Sequence, residues 1–492
     1  MTAFERSRRD TALFRPQGGR AAAALVIAAA ILGGCALAPP PAHDDVVVQA
    51  LPKETRIPPA WQADAPKAGA VADDWLKAFN DPTLDAIVAE GIANNPDLRA
   101  AAAKVLIAQQ SVIVVGAQML PQVGAQLGAR TTRDEDHGSN ANATIAYAGV
   151  AWELDVWGRL RAQRAAAEAA YEATALDYAY ARQSLAATVA KAWILATETR
   201  QLLALTEQSV GVYSELLALV RIRRAAGKDT DLDVADTSAK LETAQSELEA
   251  ARQAYGEVRR ALEVLLGRYP AAEIEASASL LPLPPPAGTG FPASLLERRP
   301  DIVAAEREVI AAFRGQEAAK LALLPDVSIS FIGGRVGNDV FSLLRLNPWL
   351  ASAGIGVSIP IYEGGALLAK VEIATAQQAQ AVARYGAVAL RAFREVENAL
   401  ANEEILLKRL PFEQRAFADR TAAVRIATVQ YKAGRQDLLW VSNLQSNQIA
   451  TEAALVKLRA NQRVNRIQLY LALGGSFDGA PAANLTGVAP PP

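Results

Sequence analysis

Four aspartates stand close together near the middle of the chain, and they are the residues best suited to chemistry. In the stretch GKDTDLDVAD, residues 227–236, they occupy positions 229, 231, 233 and 236. Carboxylates at this spacing could bind a divalent cation, act in acid–base catalysis, or form the charged end of a larger element. A glycine precedes them, heptad-spaced leucines follow, and no histidine or cysteine lies near them. This context favours a turn between long helices over a metal or catalytic site.

Composition and motifs argue against an enzyme and against nucleic-acid binding. The 492 residues carry a formal net charge of −2 and include two histidines and one cysteine, Cys35. The near-zero charge gives no electrostatic basis for binding nucleic acid. A single cysteine excludes an internal disulfide and a cysteine-rich metal site. No GxSxG, Walker A, HExxH or GxGxxG motif is present, so we predict a protein that is not an enzyme and holds no cofactor.

Cys35 follows an apolar N-terminal run. Five arginines precede the apolar residues 21–32, a run too short to span a bilayer of roughly 30 Å comfortably. LGGC at 32–35 resembles a bacterial lipobox, which implies a signal peptide over 1–34 and N-palmitoyl and S-diacylglycerol groups on Cys35. Ala36 after the cysteine implies export to the outer membrane. The alternatives are an ordinary signal peptide with a chance cysteine and an uncleaved anchor.

The chain consists of two similar halves. NNPDLRAAAAKVLIA at 94–108 matches RRPDIVAAEREVIAA at 298–312, an offset of 204 residues. Later landmarks keep their order with little drift, and Gly227 and Gly434 are 207 residues apart. We therefore predict a tandem repeat. The predicted segments are an extended, proline-rich lipidated tether at 35–70, a first repeat at 71–278, a linker at 279–292, a second repeat at 293–475 and a disordered tail at 476–492.

Each repeat contains two runs in which apolar and polar residues alternate, a pattern that predicts β-strands. The second run of the first repeat shifts phase near Gly149, which a β-bulge would explain. Alternating runs of about 10 residues are typical of transmembrane β-barrels, although half-buried strands of a soluble sheet share the pattern. Four strands cannot close a barrel, so strands in the membrane would require an oligomer, and three chains would supply twelve. The predicted strands cover about 122–130, 143–155, 326–333 and 351–362.

The rest of each repeat carries a helical pattern too long for an ordinary globular helix. Long helices are predicted over 158–267 and 364–474, with one glycine turn in each region. Leucine and alanine alternately spaced by three and four residues predict coiled-coil packing. Polar residues at seam positions of the second repeat, Gln462 and Asn465 among them, indicate a helix close to a wet lumen.

Four stretches resemble motifs of the outer membrane factor family, the TolC-like channels, and most closely its NodT-type lipoprotein branch. The resemblance implies an α+β membrane fold. In this fold each chain gives four transmembrane strands to a trimeric twelve-stranded barrel, which continues into a long coiled-coil helical barrel in the periplasm. One departure is YEGG at 362–365, where the family often has an aromatic residue before Asp-Gly-Gly. The four stretches are residues 73–105, WELDVWGRLR at 152–161, LLERRPDIVAAE at 295–306 and YKAGRQDLLWVSNLQSNQ at 431–448.

The same resemblance implies a function and a set of partners. It describes a homotrimer in contact with outer membrane lipid that docks on a periplasmic adaptor and an inner-membrane pump. The expected function is the passive outer membrane channel of a tripartite efflux system that exports small molecules. The lipobox favours a pump of the resistance-nodulation-division type. Two alternatives stay open, namely the channel of type I protein secretion and a structural periplasmic lipoprotein without a pore.

In this interpretation the turn with the four aspartates lies at the tip of the helical barrel. The repeat register aligns Asp236 with Asn443 and Leu232 with Leu439. The resemblance implies that this end closes the channel at rest, with a leucine in the position of Leu439 and commonly an aspartate where Asn443 stands. The alternative role is helix capping, with Asp229 as an N-cap. The candidate gate or tip residues are Leu439, Asn443, Asp236, Asp233, Asp231, Asp229 and Asp437.

Overall fold

A computed structural model of the chain covers most of its length. It describes residues 37–63, 69–134, 139–286, 288–337 and 350–479, with the backbone alone at 132–134 and 139–143. The predicted signal peptide and Cys35 lie outside the described residues, as does most of the predicted tail.

Helices dominate the structure and come in matched pairs. The described part of the chain contains two helices of 22 residues, two of 67 and two of 35, with one member of each pair in each half. These equal lengths confirm the tandem repeat. The helices are α1 (His43–Ala50), α2 (Pro82–Asn94), α3 (Pro96–Ala117), α4 (Arg159–Ala225), α5 (Asp231–Leu265), α6 (Pro292–Arg298), α7 (Pro300–Leu321), α8 (Ala366–Lys432) and α9 (Leu438–Ala472).

Close packing divides the chain into two compact units that cut across the repeats. One unit includes Val112–Ala167 and Ala311–Gln378, which hold the strands and the helix ends next to them. The other includes Ala42–Ser111, Glu168–Ile310 and Ala379–Pro492, which hold most of the helical residues. The two repeats are therefore not separate packing domains, because each unit draws on both.

The strands form one antiparallel sheet in the order β1-β2-β3-β4. β2 pairs with β3, so the sheet joins the two repeats. The register runs unbroken through Gly149, which lies opposite Gly124 on β1 and Ile332 on β3. The hypothesis of a bulge at Gly149 is therefore wrong. The strands are β1 (Gln122–Asp134), β2 (Ser139–Leu154), β3 (Asp326–Gly337) and β4 (Leu350–Ser358).

Four strand bounds differ from the sequence prediction by four residues each, and one of them is the end of β3, which runs to Gly337 and not to 333. The first hairpin is longer than predicted, with β1 running to Asp134 and β2 beginning at Ser139, because backbone pairing tolerates the polar side chains there. β4 ends at Ser358, four residues before its predicted end at 362. Pro360 follows, and proline has no N–H to donate to a ladder.

The two faces of the sheet differ in chemistry. Adjacent partners in the register share a face, so alternate residues of all four strands sort into two sets. The apolar face is left exposed by the folded chain, with Leu127 80% and Ile355 77% exposed. The apolar face is defined by Val123, Leu127, Val150, Trp152, Val327, Ile329, Phe331, Ile355 and Val357, with Arg335 as a charged exception near its hairpin end. The polar face is defined by Gln122, Gln126, Ser328, Ser330, Gly354, Gly356 and Ser358, with Ile145, Tyr147, Ile332, Val336 and Leu350 as apolar exceptions at its hairpin end.

Both outer strands of the sheet have a free edge. Among the described residues β1 pairs with β2 alone, and β4 pairs with β3 alone. A free edge presents unpaired N–H and C=O groups, which are costly to place in lipid. The sheet therefore needs further strands if it lies in a membrane.

Helix α3 adds a second exposed apolar surface. It is the one helix of the described residues that is long and apolar enough to cross a membrane, judged by length and composition. Its residues Ile107, Ile113 and Val114 are each at least 60% exposed. Like the apolar face of the sheet, this surface is uncovered in a single chain.

The N-terminal segment is packed and not extended, so the prediction of a free tether is wrong for its described part. It contains α1, and Val46, Leu51 and Trp61 are at most 8% exposed in a core cluster. Burying these apolar side chains outweighs the proline-rich composition. The linker and the start of the predicted disordered tail are corrected in the same way, because Leu281 and Phe477 belong to a second core cluster.

Polar residues of α9 form a buried network, so their interpretation as lining a wet lumen is wrong. Gln462 and Asn465 are 4% and 9% exposed. Asn465 donates to the carboxylate of Glu403 at 3.2 Å, and Glu403 forms an ion pair with the buried Arg466. These polar groups satisfy one another inside the protein.

Helix α8 has a proline, Pro411, in its interior. Proline has no N–H, so the carbonyl of Leu407 loses its helical donor and the ring crowds the preceding turn. The side chain of Gln462 donates to the neighbouring carbonyl of Leu406 at 3.4 Å. The equally long α4 contains no proline, so its backbone hydrogen bonds have no such interruption.

Candidate functional site at the helix tips

Two glycine turns reverse the chain at the ends of the longest helices. Gly227 follows α4 and Gly434 follows α8, with φ of 69° and 72°. This left-handed region is accessible to glycine without strain. After α4, the N–H of Lys228 donates to the carbonyl of Arg223 at 2.9 Å, and the second turn repeats this pattern. The last carbonyls of both helices are thereby satisfied.

Thr230, and not Asp229, caps the helix after the first turn. The Thr230 side chain accepts from the backbone N–H of Asp233 at 3.2 Å, and the Asp233 carboxylate accepts from the N–H of Thr230 at 2.8 Å. This reciprocal pair is a capping box. The prediction that Asp229 is the N-cap is therefore wrong, because the next residue takes that place.

Two further aspartates of this turn each pair with a nearby cation. Asp231 is 82% exposed and lies 2.7 Å from Arg224. An exposed pair of this kind contributes about 0–1 kcal/mol to stability, so Asp231 is not held as part of a rigid site. Asp236 lies 3.0 Å from Lys240, one turn further along α5, and both of these side chains are half-buried.

Asp229 joins the tips of the two repeats. Its two oxygens accept from Nε of Arg223 at 3.0 and 3.1 Å, and Oδ2 accepts from the hydroxyl of Tyr431 at 2.6 Å. Nη1 of Arg223 also donates to the carbonyl of Tyr431 at 3.2 Å, and the guanidinium lies 4.3 Å from the ring centre. We call Arg223, Asp229 and Tyr431 the tip latch.

Two members of the tip latch, Arg223 and Tyr431, have raised pKa values and keep their protons over the ordinary pH range. The Asp229 side chain is 6% exposed and that of Arg223 is 15% exposed. The hydrogen bond to Asp229 raises the pKa of Arg223, while burial and then the bond to Asp229 raise the pKa of Tyr431. Tyr431 therefore remains a donor and Arg223 remains charged. Removing one member leaves a buried group without its partner, at a cost of roughly 1–3 kcal/mol.

An apolar cluster supports the tip latch from the side of the helices. Its members come from α4, α8 and α9, and each is at most 2% exposed. Close packing of this kind holds the three helices together where the chain reverses. The members are Val220, Ala427, Tyr431, Leu438 and Val441.

The predicted gate residues of the second repeat lie on the exposed side of this tip. Leu439 is 50% exposed and Asn443 is also exposed, whereas the adjacent Leu438 is buried. Asp437 is the N-cap of α9 and accepts from the N–H of Trp440 at 2.8 Å. The single chain thus brings Asp229 to Tyr431 and leaves Leu439 and Asn443 free to meet other molecules or other copies.

Arg223 and Tyr431 are the members of the tip latch that the sequence analysis did not predict, and Tyr431 lies in the other repeat. It stands in the YKAG part of the second-repeat tip motif, 202 residues from Asp229. No local pattern links two residues so far apart. The available signal was the alignment of Gly227 with Gly434, which places a tyrosine in the last turn of one helix opposite an arginine-rich last turn of the other.

The fold and the tip define a class of protein. A four-stranded sheet with one exposed apolar face, joined to helices of 67 residues that reverse at glycine turns, is the fold of a TolC-like outer membrane channel subunit. The chain belongs to the outer membrane efflux protein family, whose model matches residues 88–268 and 291–475. The predicted family and fold class are therefore confirmed.

Curated relatives have the same class of function. The chain is 30% identical over 436 residues to the pyoverdine export outer membrane protein OpmQ of Pseudomonas putida KT2440, covering 85% of this chain and 92% of the relative. It is 28% identical over 406 residues to the cation efflux system protein CusC of Escherichia coli K12, covering 82% and 88%. The chain is thus an outer membrane efflux channel protein, which excludes the pore-free spacer.

Solved structures share the fold over nearly the whole chain. The outer-membrane channel OprN superposes with a TM-score of 0.78 at 26% identity, covering 87% of this chain and 100% of that one. The CmeC outer membrane channel of Campylobacter jejuni has a TM-score of 0.79 at 18% identity, covering 91% and 95%. At that lower identity the CmeC match supports the fold alone.

Proposed function

We propose that three copies of this chain form the channel. The observation that carries the proposal is the sheet, which has four strands, two free edges and an exposed apolar face. Three such sheets joined edge to edge give twelve strands, enough to close a barrel, whereas four are too few. The apolar face would then meet lipid and the polar face would line the lumen. Neighbouring copies would cover the exposed apolar residues of α3.

The channel lies in the outer membrane with its helices in the periplasm, and we propose that it completes a tripartite pump. A periplasmic adaptor would bind the helical part, and an inner-membrane pump of the resistance-nodulation-division type would supply the cargo. Relatives are named for pyoverdine export, cation efflux and toluene efflux. Such different cargoes support a passive conduit for small molecules, without enzymatic activity, that leaves cargo selection to the pump.

Crosslinking in cells followed by purification tests this assembly. We expect the adaptor and a proton-driven pump to co-purify, and native mass measurement in detergent to give three chains. Recovery of a protein-secretion ATPase in place of the pump would establish the type I secretion alternative. A monomeric mass in a mild detergent that preserves the folded sheet would contradict the trimer.

We propose that Cys35 carries the lipid that anchors the mature N-terminus in the outer membrane. The lipobox-like LGGC supports this modification. Two or three acyl chains, each stabilised by about 0.8 kcal/mol per buried CH₂, would hold the N-terminus firmly. Intact mass of the purified protein is the test, since the N-palmitoyl and S-diacylglycerol groups should disappear together in Cys35→Ser.

We propose that the tips close the channel at rest. In a trimer Leu439 and Asn443 would each form a ring of three, with the acidic groups of Asp231, Asp233, Asp236 and Asp437 close by. Rings of carboxylates favour cations over anions. The tip latch would hold each helix pair in the closed arrangement, and the adaptor would open the channel by binding the spread tips more tightly.

A further inference from the structure

The first described residues of the mature chain are held by two charged side chains of α7. The N–H of Ala38 donates to Oε1 of Glu317 at 2.8 Å, and Nη1 of Arg314 donates to the carbonyl of Ala38 at 2.7 Å. Arg314 and Glu317 also pair with each other at 2.7 Å, with side chains 12% and 16% exposed. The backbone N–H and C=O of Ala38 are therefore both hydrogen-bonded to one ion pair. We call Arg314 and Glu317 the anchor clamp.

The residue before Ala38 is fixed as well. Leu37 packs against Gly158, so closely that a Cβ added to this glycine would lie 3.1 Å from Cδ2 of Leu37. Gly158 has a φ of 87°, which disfavours any larger residue there. Leu37, Gly158 and the anchor clamp all belong to the compact unit that contains the strands.

Independent contacts in the other compact unit hold the following residues. Nδ1 of His43 lies 2.7 Å from a carboxylate oxygen of Glu306, and Gly386 approaches the carbonyl of Ala50 closely enough to exclude a side chain. Further along, Nε1 of Trp61 donates to the carbonyl of Thr289 at 3.0 Å. The N-terminal segment is thus attached at successive points, and each of these partners lies in the second half of the chain.

We propose that the anchor clamp positions the lipid on Cys35 beside the foot of β3. Cys35 precedes Ala38 by three residues, which limits its distance from the clamp to about 10 Å. Glu317 stands four residues before the end of α7, about 6 Å along the helix, and the chain then enters β3 at Asp326. The inference rests on the proposed lipidation of Cys35.

If the anchor clamp and the contact of Leu37 with Gly158 were both lost, the lipid would be tethered from His43, the next residue held by a side-chain contact. Eight residues would then separate the tether point from Cys35, and the reach would grow to about 28 Å. Pro39, Pro40 and Pro41 would stiffen this arm but would not choose its direction. The clamp therefore restricts the positions that the lipid can reach to those near the C-terminal end of α7, where the chain leads into β3.

Hydrogen exchange on the lipidated, membrane-inserted protein tests the anchor clamp. In the double variant Arg314→Ala, Glu317→Ala, the amide of Ala38 should exchange at least about tenfold faster, because it loses its acceptor. The variant Glu317→Gln keeps an acceptor oxygen and should retain the protection. The matched control is Arg384→Ala with Glu308→Ala, an ion pair of 3.4 Å between α8 and α7 that does not contact Ala38.

A pulse-chase of membrane insertion reports the consequence of the clamp. The Ala double variant should be fully lipidated by mass and should reach its membrane-inserted form several-fold more slowly, whereas the control pair should match wild type. If wild type carries acyl chains and the Ala38 amide exchanges freely, the clamp is overturned while lipidation stands. If wild type carries no acyl chains, the proposed lipidation fails and this inference fails with it.

Discussion

At the scale of single residues, the tip latch separates one aspartate from its three neighbours. Asp229 is buried and bonded to Arg223 and Tyr431, whereas Asp231 is 82% exposed. Local sequence could not make this distinction, because all four carboxylates look alike in a turn. Thr230 is the N-cap, because a threonine hydroxyl can accept the same backbone N–H as a carboxylate. Tyr431, which donates to Asp229, lies in the other repeat.

The first prediction concerns Asp229→Ala. This change leaves Arg223 and Tyr431 without a buried partner and should loosen the tip by roughly 1–3 kcal/mol, equivalent to a 5- to 150-fold shift toward open tips. Single-channel conductance in planar bilayers and cellular susceptibility to vancomycin should both rise. Glu249→Ala, which removes an exposed carboxylate of α5 that pairs with Arg252 away from the tip, is the matched control and should leave both readouts unchanged. If the two variants have the same conductance and the same vancomycin susceptibility, the tip latch does not hold the channel closed.

The second prediction concerns Leu439→Ala combined with Asn443→Ala. Both side chains are exposed in the single chain, so their loss should cost the fold little. In the proposed trimer the double substitution would widen the proposed constriction and raise conductance and vancomycin permeability. Leu438→Ala is not a suitable control, because Leu438 is in the tip core. Leu232→Ala, at the aligned and 75% exposed position of the first repeat, serves instead. Unchanged conductance in the double variant would move the constriction elsewhere.

At the scale of elements, periodicity predicted the helices well and their polar positions poorly. Three-four spacing of leucine and alanine indicated long helices, and the two glycines located the turns at the ends of α4 and α8. The polarity of Gln462 and Asn465 predicts that both residues line water. Their partners, the carbonyl of Leu406 and the carboxylate of Glu403, lie on α8, and a single-helix pattern carries no information about such neighbours.

The third prediction concerns Pro411→Ala in α8. Alanine restores the N–H donor to the carbonyl of Leu407 and removes the ring from the preceding turn, so stability should rise by up to about 3 kcal/mol. Thermal unfolding followed by circular dichroism measures the effect. Pro82→Ala is the control, since Pro82 is an exposed proline in the first turn of α2, where proline is favoured. A gain no larger than that of the control would contradict the account of Pro411.

At the scale of the whole molecule, the sequence predicted the family, the repeat and the need for more than one chain. It did not predict that each compact unit would contain parts of both repeats, or that the N-terminal segment would pack against the helices. Both results depend on contacts between residues hundreds of positions apart, such as His43 with Glu306. The proline-rich composition predicts an extended tether there, because composition carries no information about contacts with residues far away in the sequence.

The fourth prediction tests which face of the sheet meets lipid. Leu127 and Gln126 are neighbours on β1 but lie on the apolar and polar faces respectively. Leu127→Arg should cost about 2–4 kcal/mol if it places a charge near the bilayer midplane, whereas Gln126→Arg should be tolerated in a wet lumen. The yield of folded, heat-modifiable protein in outer membrane fractions distinguishes the two. Equal losses, or a larger loss for Gln126→Arg, would reverse the assigned orientation.

If three chains assemble as proposed, the two free edges of the sheet would also set the order of events during biogenesis. A lone chain that entered the bilayer would expose the ladder groups of β1 and β4 to lipid, whereas three chains meeting together would convert six edges into three seams. Insertion would then be a reaction of higher than first order in chain concentration. A scarce protein would wait at the membrane surface for its partners, and a lipid on each chain would shorten that wait by confining the encounter to two dimensions.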